Sequence, residues 1–142
     1  MMTIESHGVI PLKWEDGDWQ VLLILHKQGS HWGFPKGRAD GEELSRHAAT
    51  RELKEETGLD ITEFLSDQPI IEHYYFYKSQ ERVLKVVNYF IAMVSGELKL
   101  QEAEIRDAKW LPLSSAAGQL TFKEAKAICQ KVIHFLERFQ EK

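Results

Sequence analysis

The chain has 142 residues, 43% of them hydrophobic and 28% charged, so it reads as one globular domain over residues 1–142 rather than a disordered tract. Eighteen Lys and Arg against twenty-two Asp and Glu leave a net charge of −4, which argues against a general coat for nucleic acid or anionic membrane. The single cysteine, Cys129, excludes an internal disulfide and a Cys-rich zinc centre. No apolar run approaches the ~18 residues of a membrane span. Met1–Pro11 lacks a basic stretch followed by an apolar one, so no secretory signal and a cytoplasmic location are expected.

Strand signals come first. Gly8–Pro11 is short and apolar, and Trp19–His26 is a continuous apolar run suited to a strand covered on both faces. Glu15-Asp16-Gly17-Asp18 between them predicts a hairpin turn. His31–Arg38, broken by glycine and proline, predicts a loop or short extended segment. A helix follows, with Asp40 as its cap and Glu43 in the reciprocal position. It runs through Leu44 and Ala48 to Glu56 and stops at Thr57-Gly58. Strands resume at about Ile70–Tyr77 and Val83–Val94, joined by a turn at Lys78–Arg82, with a short strand at Ala108–Leu111. The tail opens on a capping box, Thr121 to Glu124. Ala125, Ile128, Val132, Phe135, Leu136 and Phe139 then recur at helical spacing. Strands, helix, strands, helix predict an α/β fold with a mixed sheet between helices.

Chemistry concentrates between Gly37 and Leu59. Glu52, Glu55 and Glu56 sit at i, i+3 and i+4, within roughly a 100° arc of one helix. Like charges so placed repel. Arg51 and Lys54 beside them allow an ordinary solvated acidic face. A hard divalent cation would also offset the repulsion.

The spacing narrows that choice. Gly37, five residues, Glu43, seven residues, then Arg51-Glu52-Leu53-Lys54-Glu55-Glu56-Thr57-Gly58-Leu59 resembles the Nudix box at every specified position. The resemblance implies an α/β/α sandwich with a catalytic loop-helix-loop at about 37–59. It also implies hydrolysis of a nucleoside diphosphate linked to another group, with Mg²⁺ as cofactor and Mn²⁺ as a possible substitute. It casts Glu52, Glu55, Glu56 and the Gly37 carbonyl as metal ligands. One carboxylate of the box or of a later loop would activate water. Arg51 and Glu43 would be an orienting pair, Leu53 and Leu59 core anchors, and His47 a surface residue.

Residues outside the box choose the substrate. His31-Trp32-Gly33-Phe34-Pro35-Lys36-Gly37 resembles the lead-in of several Nudix branches, including asymmetrical diadenosine tetraphosphate hydrolases, RNA pyrophosphohydrolases and diphosphoinositol polyphosphate hydrolases. His31 and Lys36 suit a phosphate, while Trp32 and Phe34 also read as core. Lys85, in K-V-V-N-Y-F, is similar to the lysine with which the tetraphosphate branch reaches its polyphosphate. Glu104, with Glu102 as the alternative, resembles that branch's loop carboxylate at the metal. Phe122 stands where some members carry a base-stacking tyrosine. Strand alternation sends Tyr75 and Tyr77 to one face, as candidate base-stacking walls or as cross-strand packing.

The expected function is therefore Mg²⁺-dependent hydrolysis of diadenosine tetraphosphate to ATP and AMP. The alternatives are an RNA 5′ pyrophosphohydrolase, a hydrolase of diphosphoinositol polyphosphate or another nucleoside diphosphate derivative, and a non-catalytic nucleotide-binding module. A small nucleotide is the expected partner, with no membrane, no stable nucleic-acid complex, and a monomeric or dimeric state.

Overall fold

The computed structural model describes residues 1–140, without the side chain of Gln140. Its elements run β1 (Met2–Glu15), β2 (Asp18–His26), β3 (His31–Gly33), β4 (Lys36–Gly37), α1 (Ser45–Thr57), β5 (Asp60–Phe64), β6 (Ile70–Lys78), β7 (Glu81–Ser95), β8 (Ile105–Pro112), α2 (Leu113–Gln119) and α3 (Lys123–Gln140). The strands form one mixed eight-stranded sheet. At its centre β1 and β7 pair in parallel, from Met2 opposite Val83 to Leu12 opposite Met93. No helix among the described residues is long and apolar enough to cross a membrane.

The continuous apolar runs have the meaning expected of them. Successive residues of a strand face opposite sides, and here both sides are covered. Ile10, Leu23 and Ile91 join a core with α2 and α3, through Leu113, Ile128 and Val132. Their neighbours Val9, Leu22 and Phe90 join a second core with Ala49 and Leu53 of α1. The sheet therefore lies between helices, as the order of elements predicted. Leu53 and Leu59 are buried anchors, and His47 is exposed.

Two helix starts differ from expectation. Helix α1 begins at Ser45, with Leu44 at its N-cap and no capping side chain. Asp40 and Glu43 instead close a separate turn, in which the Asp40 N–H donates to Glu43 Oε1 (3.0 Å) and the Glu43 N–H to the Asp40 carbonyl (3.1 Å). A hydrogen bond between His7 Nδ1 and Ser45 Oγ (2.6 Å) ties the first turn of α1 to β1. At α3, Thr121 does not close a box with Glu124. Its Oγ1 accepts the Trp32 N–H (2.9 Å), and its own N–H reaches the Trp32 carbonyl (3.3 Å). The entrance to α3 is thus stapled to β3.

Gly8 of β1 lies opposite Lys36 of β4. A Cβ there would overlap the Pro35 carbonyl and stand 2.8 Å from Lys36 Cβ and 2.9 Å from the Tyr89 ring. Gly8→Ala should cost about 1–3 kcal/mol of stability, because the crowding is mostly backbone and ring. Urea unfolding checks this, and an unchanged free energy would mean that β4 yields without cost.

Candidate active site

The C-terminal half of α1 brings Glu52 and Glu56 under the β4 loop. Glu56 is only 3% exposed, and its Oε1 accepts the Lys36 backbone N–H at 3.1 Å. Burial, followed by the neighbouring Glu52, pushes its pKa up to about 8. The Lys36 N–H, through its bond, and the Lys36 charge oppose this shift, and Glu104 adds to it. Burial likewise raises Glu52, with Arg51 opposing and Glu55 and Glu104 reinforcing. A Cβ at position 37 would overlap the Glu52 carboxylate, so glycine is what lets backbone and carboxylate meet.

Arg51 organises the remaining acids. Its Nε and one terminal nitrogen each reach Glu43 at 3.0 Å. The other terminal nitrogen bridges Glu52 and Glu55, both at 3.1 Å. Asp40 lies 3.5 Å away. Arg51 and Glu43 therefore stand together as expected. Glu55 differs: its carboxylate is half exposed and held by Arg51, off the Glu52–Glu56 pair.

Glu104 arrives on the loop before β8. That loop satisfies carbonyls left free at the end of α1. The Lys99 N–H donates to Thr57 (2.8 Å) and the Gln101 N–H to Glu56 (3.1 Å). The Lys27 N–H then holds the Glu104 carbonyl at 2.9 Å.

As placed, no three carboxylate, imidazole or thiol groups among the described residues converge on one point to enclose an ion. The donor chemistry nevertheless fits a hard cation. Glu52, Glu56 and Glu104 repel one another beside the Gly37 backbone, and carboxylate and carbonyl oxygens are what Mg²⁺ takes.

Two cavities meet at this site. One, of about 600 Å³, is lined by Glu56 and Glu104 together with Ser6, Lys36, Gly37 and Arg38. Lys85 approaches its wall and donates to Ser6 Oγ at 2.6 Å. Burial, then the Lys36 and Arg38 charges, lower the Lys85 ammonium to about 8. Cations pressed together in this way mark a place for an anion. The second cavity, of about 450 Å³, is lined by Trp32, Phe34, Tyr74, Tyr89 and Phe122, with Glu72 and Glu124. His31 and Lys36 line both.

Of the residues outside the box that the sequence singles out, His31, Lys36, Glu104 and Phe122 line these cavities, and Lys85 reaches one of them only through Ser6. Tyr75 and Tyr77 are corrected. They do share a face of β6, but Glu72 and Tyr74 occupy the face that meets the cavity. Tyr75 lies under the Arg82 guanidinium (3.9 Å), and Tyr77 is 73% exposed. Tyr74 is the β6 aromatic that lines the cavity, and only the strand register, Tyr74 opposite Lys85, reveals it. His26 was also missed. Its ring stacks on His31 (4.5 Å between centroids, 13° between planes). Its Nε2 is buried without a partner, and burial, then His31 and Lys36, lower it to about 4. A polar residue ending an apolar strand was its one signal.

Glu56 gives a pH signature with a definite sign. The fold holds its proton more tightly than the unfolded chain does. Its contribution is therefore fully present below about pH 4.5 and is lost as pH rises through about 8. Glu56→Gln cannot titrate. In metal-free buffer its melting temperature should pull ahead of the parent's between about pH 5 and about pH 9, and Mg²⁺ should close that gap. A constant difference across pH would place Glu56 in a wetter setting than its burial indicates.

The chain is similar to known proteins in sequence and in fold. The NUDIX domain profile matches residues 5–131. The chain is 30% identical over 139 residues to the mouse bis(5′-nucleosyl)-tetraphosphatase [asymmetrical], covering 95% of this chain and 92% of that one. It is 26% identical over 142 residues to the putative mutator protein MutT4 of Mycobacterium tuberculosis, of whose length it spans 56%. Among solved structures, a C. elegans Ap4A hydrolase binary complex superposes with a TM-score of 0.77 at 25% identity, covering 94% of this chain and 98% of that one.

Proposed function

Because the chain belongs to the NUDIX family, we propose that it is a hydrolase of phosphoric anhydride bonds, working as a single domain on dinucleoside polyphosphates and splitting diadenosine tetraphosphate into ATP and AMP. The observation that carries this reading is the division of the site. An aromatic cavity suited to a base joins a cationic cavity suited to a polyphosphate, and Glu56 and Glu104 belong only to the second. The mouse relative, whose name specifies asymmetrical tetraphosphatase activity, supports the choice of substrate.

Each residue then has a task. Phe122 and Tyr74 stack on one adenine, at a gain of about 1–3 kcal/mol for such a contact. His31, Lys36, Arg38 and Lys85 bind phosphates along the chain. Glu52, Glu55, Glu56, Glu104 and the Gly37 carbonyl would hold Mg²⁺, or Mn²⁺ in its place. Such an ion, when bound, would supply Lewis-acid polarisation of phosphoryl oxygens and a more acidic water. One carboxylate of that set takes the proton of the attacking water. Arg51 and Glu43 are positioning residues that fix Glu52 and Glu55.

A base held at one place and carboxylates held at another select one bridge of the chain. Attack at the phosphate nearest one adenosine releases AMP, with ATP as the leaving group. Chromatography of early turnover in Mg²⁺ should find ATP and AMP in equal amounts. ADP as the main first product would overturn the reading. A strong preference for triphosphorylated RNA would assign the RNA 5′ pyrophosphohydrolase alternative. Tight nucleotide binding with no turnover would assign a binding module.

A further inference from the structure

The aromatic cavity contains a group that stacking does not use. Glu72, on β6, is only 8% exposed and shares the face of Tyr74. Among the described residues no side-chain hydrogen bond and no ion pair within 4.0 Å reaches its carboxylate, yet its oxygens are not among the polar atoms sealed in the core. Its polar tip opens on the cavity. A desolvated carboxylate with no partner is costly, and a ligand that donates hydrogen bonds removes that cost. We propose that Glu72 reads the nucleobase, accepting two parallel hydrogen bonds from the ring N–H and exocyclic amine of a guanine held between Phe122 and Tyr74.

Chemistry chooses the base. An ionised carboxylate only accepts, and it does so through two oxygens side by side. Guanine presents two adjacent donors, its ring N1–H and its amine, and fits that pair. Adenine presents one donor beside a ring acceptor, so one carboxylate oxygen would face a lone pair. Cytosine has the same mismatch, and uracil flanks its single ring donor with carbonyls. Burial raises the Glu72 pKa, Lys36 opposes that, Glu124 adds to it and Lys85 opposes it. Two N–H donors from the ligand would side with the lysines and keep the charge. Glu124, half-buried on α3 at the same cavity, adds a second acceptor. The sequence carried no trace of this role, because a glutamate among Ile71, His73 and Tyr74 reads as an ordinary strand position.

The inference rests on the dinucleoside polyphosphate reading and adds its base preference. The test compares diguanosine, diinosine and diadenosine tetraphosphates, since inosine keeps the ring N–H and lacks the amine. Guanosine should exceed adenosine by about tenfold in kcat/KM, through KM, with inosine between them. Glu72→Gln presents one acceptor and one donor, which matches adenine, and should abolish or reverse the preference. Calorimetric binding of GMP, IMP and AMP should follow the same order. Equal values for the three bases in the parent protein would overturn the proposal, whether or not the variant folds. So would an unchanged ratio in a natively folded Glu72→Gln. If none of the three tetraphosphates is cleaved, the proposed function fails. The mononucleotide series then decides the role of Glu72 separately, with GMP over AMP supporting it and equal binding overturning it.

Discussion

Glu56→Gln should lower kcat by at least about 10²-fold while leaving the fold in place. Glutamine has the shape of glutamate and keeps an oxygen to accept the Lys36 N–H, so the 3.1 Å contact that seats β4 on α1 survives. What disappears is a buried carboxyl, beside Glu52 and Glu104, whose pKa burial has pushed up to about 8 and which would give up its proton on meeting an ion. That carboxyl is held where it can serve as ion ligand or proton acceptor, and its loss removes an interaction made in the transition state. KM for the nucleotide should change little, because Lys36, Lys85 and the aromatic cavity are untouched. The variant should also be more stable than its parent without metal near neutral pH, since the fold no longer has to hold a proton that the unfolded chain releases. Loss of activity together with loss of metal-free stability would point to a packing role. Near-normal turnover would remove Glu56 from the reaction.

How much of this could be read from the sequence depended on the range of the interaction involved. The box residues lie within one helix and the loop before it, so local spacing was enough to set Glu52, Glu55 and Glu56 on one face, while the pairing of Arg51 with Glu43 came from the family resemblance. The apolar runs gave the central strands, because a strand covered on both faces needs no alternation. Elements whose stability comes from elsewhere were not legible. β5, Asp60–Phe64, is mostly exposed and exists through its pairing with β7. α2, Leu113–Gln119, carries two serines and a glycine in seven residues and reads as a loop. The start of α3 was misread because the Thr121 hydroxyl has a better partner in Trp32, 89 residues away. The aromatic cavity shows the same limit. Alternation correctly paired Tyr75 with Tyr77, but which face meets α3 depends on the register with β7. Nothing within Tyr74–Tyr77 encodes that register.

Gly8 is the counterpart among small residues. Alone in a strand it suggests only a weak point or a close approach. The structure gives it a task, admitting the Pro35–Lys36 backbone. Lys36 in turn supplies an N–H to Glu56 and a charge to both cavities. A residue outside the box thus helps place a residue within its reach. The substrate specificity of a common fold is built by such contacts and escapes the motif.

Arg51→Ala should lower kcat by roughly 10–100-fold and weaken activation by Mg²⁺, and Arg51→Lys should recover little of either. The reason is the fork. One guanidinium reaches Glu43 through two nitrogens and Glu52 and Glu55 through the third, and donates to the Arg38 carbonyl at 2.9 Å. A lysine ammonium supplies the charge at one point and cannot span those partners. Without the fork, Glu52 and Glu55 repel along the helix face, and Glu52 loses the orientation in which it would meet an ion. The damage should therefore appear in kcat and in the Mg²⁺ concentration for half-activation, while KM for the nucleotide stays near the parent value. A role in folding alone would lower the melting temperature and the active fraction without moving the Mg²⁺ curve. Full activity in Arg51→Lys would mean that positive charge suffices and that the fork orients nothing the reaction needs.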